Sequence, residues 1–232
     1  MYATTEYDGR LAAEAKGGRR SLIRLEHLYK RYPSPQGGGR TVLEDFSLEL
    51  PERGAVCFFG PSGCGKTTLL HILAGLTRPD AGTVTGLEGK RLSMVFQEDR
   101  LLPWLTAAQN VALALPGTGA LPKREELDAA RSLLDQLGLA EAAELKPDQL
   151  SGGMQRRVAI ARAFAHQGEV LVLDEPFKGL DGAVKDRVIR QTARMKEKAL
   201  ILFVTHDLPE AQALADRILR FSGPPLALEA QP

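Results

Sequence analysis

Between residues 60 and 68 the chain reads Gly60, Pro61, Ser62, Gly63, Cys64, Gly65, Lys66, Thr67, Thr68, a segment able to wrap a phosphate group. Glycines let the backbone approach an anion and turn its N–H groups toward it, and the dipole of a helix starting at Lys66 favours the same charge. Lys66 adds a full positive charge at the outer phosphates of a nucleotide, and the Thr67 hydroxyl can ligate Mg²⁺. A second segment, Val170 to Glu175, ends an apolar run in two carboxylates, Asp174 and Glu175. If strand geometry persists through the pair, the two point to opposite faces and can serve different roles. Asp174 then suits Mg²⁺, through water, and Glu175 can orient and polarise a water for attack on a terminal phosphate. Phosphoryl transfer depends mostly on such positioning and charge stabilisation.

Three more polar sites belong with these. His206 directly follows the apolar run Leu200 to Thr205, where it can contact the terminal phosphate or hold the water next to Glu175. Gln97 stands just beyond the run Leu92 to Phe96 and offers its amide to Mg²⁺ or to water, at a candidate joint between two parts of the chain. Ser151, Gly152 and Gly153 precede a helix predicted to begin near Met154. Ser151 reads as its N-cap, and the glycines expose N–H groups at the positive helix end. Two readings stay open, a second anion site without a lysine and an ordinary capped helix, and local pattern by itself favours the second.

These side chains need a scaffold. Ser21 to Leu28 and Val42 to Leu50 alternate apolar and polar residues, as half-buried strands do, around a Pro/Gly-rich turn at Pro33 to Gly39, and predict an antiparallel flank. Ala55 to Phe59 is a short apolar run before Gly60, and Lys66 to Leu76 has helical spacing, so strand, glycine loop and helix follow in the order a phosphate loop requires. Val170 to Leu173 and Leu200 to Thr205 read as buried strands with polar residues at their carboxyl ends, where open α/β sheets bind ligands. Ala107 to Leu115, Lys123 to Leu137 and Gly152 to Ala165 read as helices. The expected fold is α/β, a P-loop NTPase core with a mixed, mainly parallel sheet, an antiparallel β flank and an inserted α-helical subdomain. Its expected division is a flexible N-terminal tail at 1–20 and one domain at 21–232, with the core at 21–96 and 168–221, the helical subdomain at 97–167 and a short tail at 222–232.

Composition bounds the partners. Thirty basic residues against 29 acidic ones in 232 leave no charge excess for gripping a polyanion, so no nucleic-acid partner is expected. Cys57 and Cys64, seven apart, fit neither a disulfide framework nor a zinc spacing, which agrees with a reducing cytoplasm. His27, His71 and His166 are scattered without ligand spacing. No stretch approaches the roughly 20 apolar residues that cross a bilayer, so a role at a membrane must come through a partner.

With the loop at Gly60 to Thr67, Gln97, the segment Leu150 to Gln155, the strand ending in Glu175, then Asp181 and His206 in this order, the chain resembles the ATP-binding subunit of ABC transporters over about residues 21–221. The resemblance implies ATP and Mg²⁺ as ligands, and it marks Leu150-Ser-Gly-Gly-Met-Gln155 as the family's signature segment. It implies a head-to-tail dimer in which Ser151 and Gly153 of one copy close over the phosphate held by Lys66 of the other, with Lys66, Gln97, Glu175 and His206 as the hydrolytic residues. It also implies that Tyr32 stacks on adenine, against the alternative of a core tyrosine at a strand end. Asp181 is retained in the loop after Glu175, whereas Gly179 stands where Ala or Ser is more usual, a change that could loosen communication between sites.

The stretch Gln97 to Trp104 looks like the subgroup that powers bacterial uptake of nitrate, sulfonates and taurine. There Leu101, Leu102 and Trp104, fixed by Pro103, form either a docking face for a membrane subunit or part of the lobe's own core. The implied partners are a second copy, transmembrane permease subunits and an extracytoplasmic solute-binding protein, with this chain at the cytoplasmic face of the membrane. The alternative is a soluble ABC-type ATPase acting on nucleic acid or ribosomes. Such proteins carry two cassettes or a long coiled-coil insert, and this sequence has neither.

Overall fold

The computed structural model describes residues 22–33, 38–119 and 121–229; the tail expected at 1–20 and part of the turn at Pro33 to Gly39 lie outside the described residues. Five parallel strands form the centre: β3 (Gly54–Phe59), β5 (Leu92–Val95), β6 (Val170–Asp174), β7 (Leu200–Thr205) and β8 (Arg217–Ser222), in the order β5-β6-β7-β3-β8, with the short β9 (Ala227–Leu228) antiparallel at the edge. Every residue of β6 and β7 is buried. They are continuous apolar runs because both sheet faces are covered. Leu171 and Leu173 of β6 join Ile201 and Phe203 on the face packed by the helices α2 (Ala107–Ala112), α3 (Arg124–Gln136) and α4 (Gly152–Ala165). Val170 and Val172 join Val56, Phe58, Leu202 and Val204 on the other face, against α1 (Lys66–Leu73).

That second face also carries a three-stranded antiparallel sheet, with β1 (Ile23–Pro33) between β2 (Gly39–Leu50) and β4 (Ala81–Thr85). In β1 the buried residues are Ile23, Leu25 and Leu28, a sequence that breaks period-two alternation. A register shift between Leu25 and Leu28, with His27 at φ 51°, resets the pleat so that Leu28 still points inward.

Some boundaries differ from the sequence reading. α1 stops at Leu73 instead of Leu76 because Gly75 (φ 69°) turns the chain left-handed, and the N–H groups of Gly75 and Leu76 return to Ile72 O and His71 O at 3.0 and 2.9 Å. α2 ends at Ala112, after which Ala114 and Leu115 make the tighter three-residue bonds. α5 (Gly182–Ala193), α6 (Leu208–Leu214), β4 and β9 were not anticipated. Within the short tail expected at 222–232, Leu226 is buried and its N–H donates to Val42 O at 2.8 Å.

Pairing register decides what happens at the carboxyl edge of the sheet. Phe59 lies opposite Thr205, Asp174 opposite Val204, and Val95 opposite Leu173. The residues that follow these strands, Gly60, His206, Glu175 and the Phe96–Gln97 pair, therefore emerge at one level.

Candidate active site

The phosphate loop is shaped by what its glycines leave out. A Cβ on Gly60 would collide with the main-chain oxygen of Phe221 on the neighbouring strand β8, so only glycine lets the loop leave the sheet there. Gly65, the residue that caps α1, has φ 121°, and a Cβ on it would come 2.8 Å from Val42 of β2. No side chain caps α1, which leaves its first N–H groups for an anion. Lys66, only 7% exposed, folds back over the loop and donates to Gly60 O at 2.8 Å and Pro61 O at 2.7 Å, with Cys64 Sγ at 3.6 Å. Cys64 is buried beneath the loop while Pro61, Ser62, Gly63 and Thr67 face outward and Thr68 is half-buried. Gly63 O accepts from Arg40 at 2.6 Å.

The two carboxylates after β6 have contrasting surroundings. Asp174 is 3% exposed, and burial pushes its carboxyl above the ordinary range, opposed by a hydrogen bond from Thr67, with the neighbouring Glu175 charge adding to the rise. A buried carboxylate and a hydroxyl in contact form a hard oxygen pair that suits Mg²⁺, which takes one or two carboxylates and completes its shell from water and phosphate. No group of three or more His, Cys, Asp or Glu among the described residues could hold a metal by protein ligands alone. Glu175 does not continue the strand. Its φ is 48°, a left-handed conformation uncommon for a side-chain-bearing residue, and its N–H donates to Val204 O at 3.1 Å. The divergence of the pair thus comes from this turn, and not from the strand alternation the sequence predicts.

Glu175 is met from both sides. Its Oε1 lies 3.4 Å from His206 Nδ1, and its Oε2 lies 3.1 Å from the Lys178 ammonium. The Lys178 contact is an ion pair, and Oε2 is otherwise buried without a donor. Burial alone would raise the Glu175 carboxyl, but Lys178 and His206 together outweigh it and hold it below the ordinary carboxylate value.

One functional candidate escaped sequence reasoning altogether. Arg156 on α4 is 4% exposed, and its guanidinium donates to Phe96 O (2.5 Å), Gln97 O (3.2 Å), Asp99 Oδ1 (2.9 Å), Asp174 O (3.4 Å) and Glu175 O (3.1 Å). The planar fork of an arginine suits such a set of acceptors. One turn and a half further on, Arg162 donates to Asp99 O and Arg100 O, both at 2.8 Å. The loop after β5 therefore hangs from α4, and it is the main chain of Gln97 that is held while its side chain is exposed. The only sequence signal is a pair of arginines, Arg156 and Arg157, just before the apolar run Val158 to Ala161.

The remaining candidates are placed as follows. Ser151 caps α4, accepting from Met154 N at 3.3 Å. A Cβ on Gly152 would meet open space, and one on Gly153 would meet Gly179 O at 3.2 Å and Leu180. Gly153 thus adjoins the turn after Glu175, while Gly152 faces open space. Asp181 caps α5 by accepting from Val184 N at 3.3 Å. Tyr32 is an exposed aromatic at the end of β1, with the Lys30 ammonium 5.5 Å from its ring centre; it is not a core tyrosine. The apolar turn is divided: Leu101 packs on the helix-face core, whereas Trp104 is 66% exposed. The turn is stitched by buried Asn110, which accepts from Leu102 N and donates to the carbonyls of Leu102, Leu105 and Thr106.

A family model described as ABC transporter matches residues 43–178. The chain belongs to the ABC transporter family. Among its relatives is the bicarbonate transport ATP-binding protein CmpD of Synechococcus elongatus, 39% identical over 220 residues, spanning 90% of this chain and 78% of the relative. The nitrate import ATP-binding protein NrtD of the same organism is 39% identical over 216 residues, 89% of this chain and 78% of the relative. The taurine import ATP-binding protein TauB of Pseudomonas aeruginosa is 42% identical over 200 residues, 82% and 75% of the two chains. A solved ATP-binding cassette, dimeric and in a post-hydrolysis state with ADP and phosphate, is 30% identical with a TM-score of 0.78, covering 85% of this chain and 93% of that one. The expected fold, the ABC transporter resemblance and its import subgroup are thereby borne out. The chain is an ABC transporter ATP-binding subunit with the ATPase cassette of that family, and it binds ATP. None of the helices among its described residues is long and apolar enough to cross a membrane.

Proposed function

We propose that this chain is the ATP-hydrolysing subunit of an importer for a small solute bearing an oxyanion group, working as a head-to-tail pair at the cytoplasmic face of the membrane. The observation that carries this is the meeting of Lys66, the Thr67–Asp174 pair, Glu175 and His206 at one sheet edge, while Ser151 to Gly153 stand apart at an exposed helix start. In this reading Lys66 and the loop N–H groups hold the outer phosphates, and Tyr32 faces the adenine. Thr67 and Asp174 would hold Mg²⁺, with Gln97 beside them, and the ion's charge would neutralise the phosphate oxygens. Glu175 orients and polarises the attacking water, held at a second point by His206. Ser151 and Gly153 of the other copy complete the phosphate cage, and Asp181 lies at the junction.

The solute class follows from the relatives' bicarbonate, nitrate and taurine, all small and each bearing an oxyanion group, which in taurine is the sulfonate of a zwitterion. Its selection falls to permease subunits and an extracytoplasmic binding protein, and Trp104 supplies the exposed anchor for the permease. Residues 21–96 and 168–221 act as the core and 97–167 as the lobe that follows the permease.

Glu175→Gln tests this directly. Turnover should fall by about 10²–10⁴-fold, and an ATP-bound dimer should accumulate in light scattering. Undiminished turnover would remove Glu175 from the chemistry. Co-purification from membranes with a ribosome instead of a permease would overturn the transport assignment.

A further inference from the structure

Both carboxylate oxygens of Glu175 are engaged in this structure, Oε1 toward His206 and Oε2 toward Lys178. A carboxylate that is to polarise a water needs a free oxygen facing it. Since His206 is also placed to hold that water, the oxygen whose engagement matters is Oε2, and among the described residues Lys178 is the cation paired with it.

The turn that presents Lys178 is anchored on one side and exposed on the other. Phe177 is buried against Phe203, and Lys178 N and Leu180 N donate to Glu175 O and Phe177 O at 3.3 and 3.2 Å. The Lys178 side chain itself is 59% exposed, so its ammonium regains water when it leaves Oε2. Next along the turn, Gly179 O is the nearest neighbour of the Cβ position of Gly153 at the start of α4. A push on that helix start therefore reaches Lys178 through a single residue.

We propose that Lys178 is a positioning residue that restrains Glu175, so that hydrolysis requires its ammonium to leave Oε2, and that engagement of the α4 start by a second copy's nucleotide drives the departure. The inference rests on Glu175 as the residue that polarises the water. It gives the cassette a built-in brake on turnover in the absence of its partner, because the latch opens only when the turn between Gly153 and Glu175 moves.

The test compares Lys178→Met, which keeps length and removes charge, with Lys178→Arg in the full chain. Lys178→Met should raise kcat of the permease-free subunit by about two- to fivefold, the range of an exposed ion pair, and leave KM for MgATP within about twofold. Lys178→Arg should behave like the parent. In a Glu175→Gln background the gain should vanish, showing that it runs through that carboxylate. An unchanged or lower kcat in Lys178→Met, with a melting temperature equal to the parent's, would overturn the proposal, as would a gain that survives Glu175→Gln. If Glu175→Gln alone keeps the parental rate, the reading of Glu175 fails first, which separates the two failures.

Discussion

In the proposed pair the starts of α1 and α4 both face phosphate, and they are built oppositely. α1 starts at Lys66 inside a loop crowded by β8 and β2, has no side-chain cap, and carries its own buried cation. α4 starts beside an exposed Gly152, is closed by the Ser151 cap, and has no cation in its first turn. An isolated helix end with a serine cap is satisfied and binds an anion weakly at best. A lysine-bearing loop grips phosphate by itself. α1 thus has the parts of a cradle by itself, whereas in the proposed pair α4 meets phosphate only when a second molecule brings it. A site split in that way would make hydrolysis a property of the pair.

Mixing variants breaks or sharpens that contrast most strongly. Lys66→Ala removes the cation from α1, and Gly152→Asp puts a repelling carboxylate at the α4 start where a side chain meets open space. Each variant by itself should lose at least about 10²-fold in ATPase rate, yet Gly152→Asp should still bind ATP as a monomer. A one-to-one mixture should recover up to about a quarter of the parental rate, because half the dimers then contain one intact composite site. Steady-state ATPase of the mixture is the measurement. No recovery, or full activity of Gly152→Asp by itself, would place both halves of the site in one copy.

The two helix starts also differ in how readable they were. Gly60 to Thr68 announces itself, since glycine spacing, strand and helix are all local, and the buried strands β6 and β7 are written as unbroken apolar runs. Short polar elements were not legible: α5 and α6 are signalled chiefly by their caps Asp181 and Asp207, and β4 is only half-buried along an edge. Arg156 was invisible for a different reason. Four of its five acceptors are main-chain oxygens, and a carbonyl carries no side-chain signature. The left-handed turn at Glu175 was hidden likewise, because nothing in the residue type favours it.

The α4 helix is more than a capped start, and Arg156 is where this shows. Removing a buried cation that satisfies this many acceptors should be costly, so Arg156→Met is expected to destabilise the fold by about 2–4 kcal/mol, read as a lowered denaturation midpoint. Arg156→Lys keeps the charge but loses the fork, and should restore part of the stability while leaving the loop after β5 loosely held. If α4 served only to present its glycines, turnover in the lysine variant would match the parent. A brace between Gln97, Glu175 and α4 instead predicts a reduced kcat with little change in ATP affinity.

The smallest effect expected lies in the antiparallel flank, away from both helix starts. His27 Nδ1 and Asp45 Oδ1 lie 2.6 Å apart on the surface, and the hydrogen bond and charge of Asp45 raise the imidazole above its ordinary value of 6.5. A group whose folded value is raised contributes its stability fully below the unfolded value and loses it as pH rises through the folded one. The melting temperature of the parent should therefore decline slightly on going from below pH 6.5 to the mildly alkaline side, and His27→Gln should flatten that decline. Exposure of both side chains keeps the shift small. ATPase activity of the variant should be parental at every pH, because nothing in this pair touches the sheet edge where Lys66, Glu175 and His206 meet. A change in turnover would mean that the flank belongs to the active half of the molecule, and that the contrast between the two helix starts leaves out a third contributor.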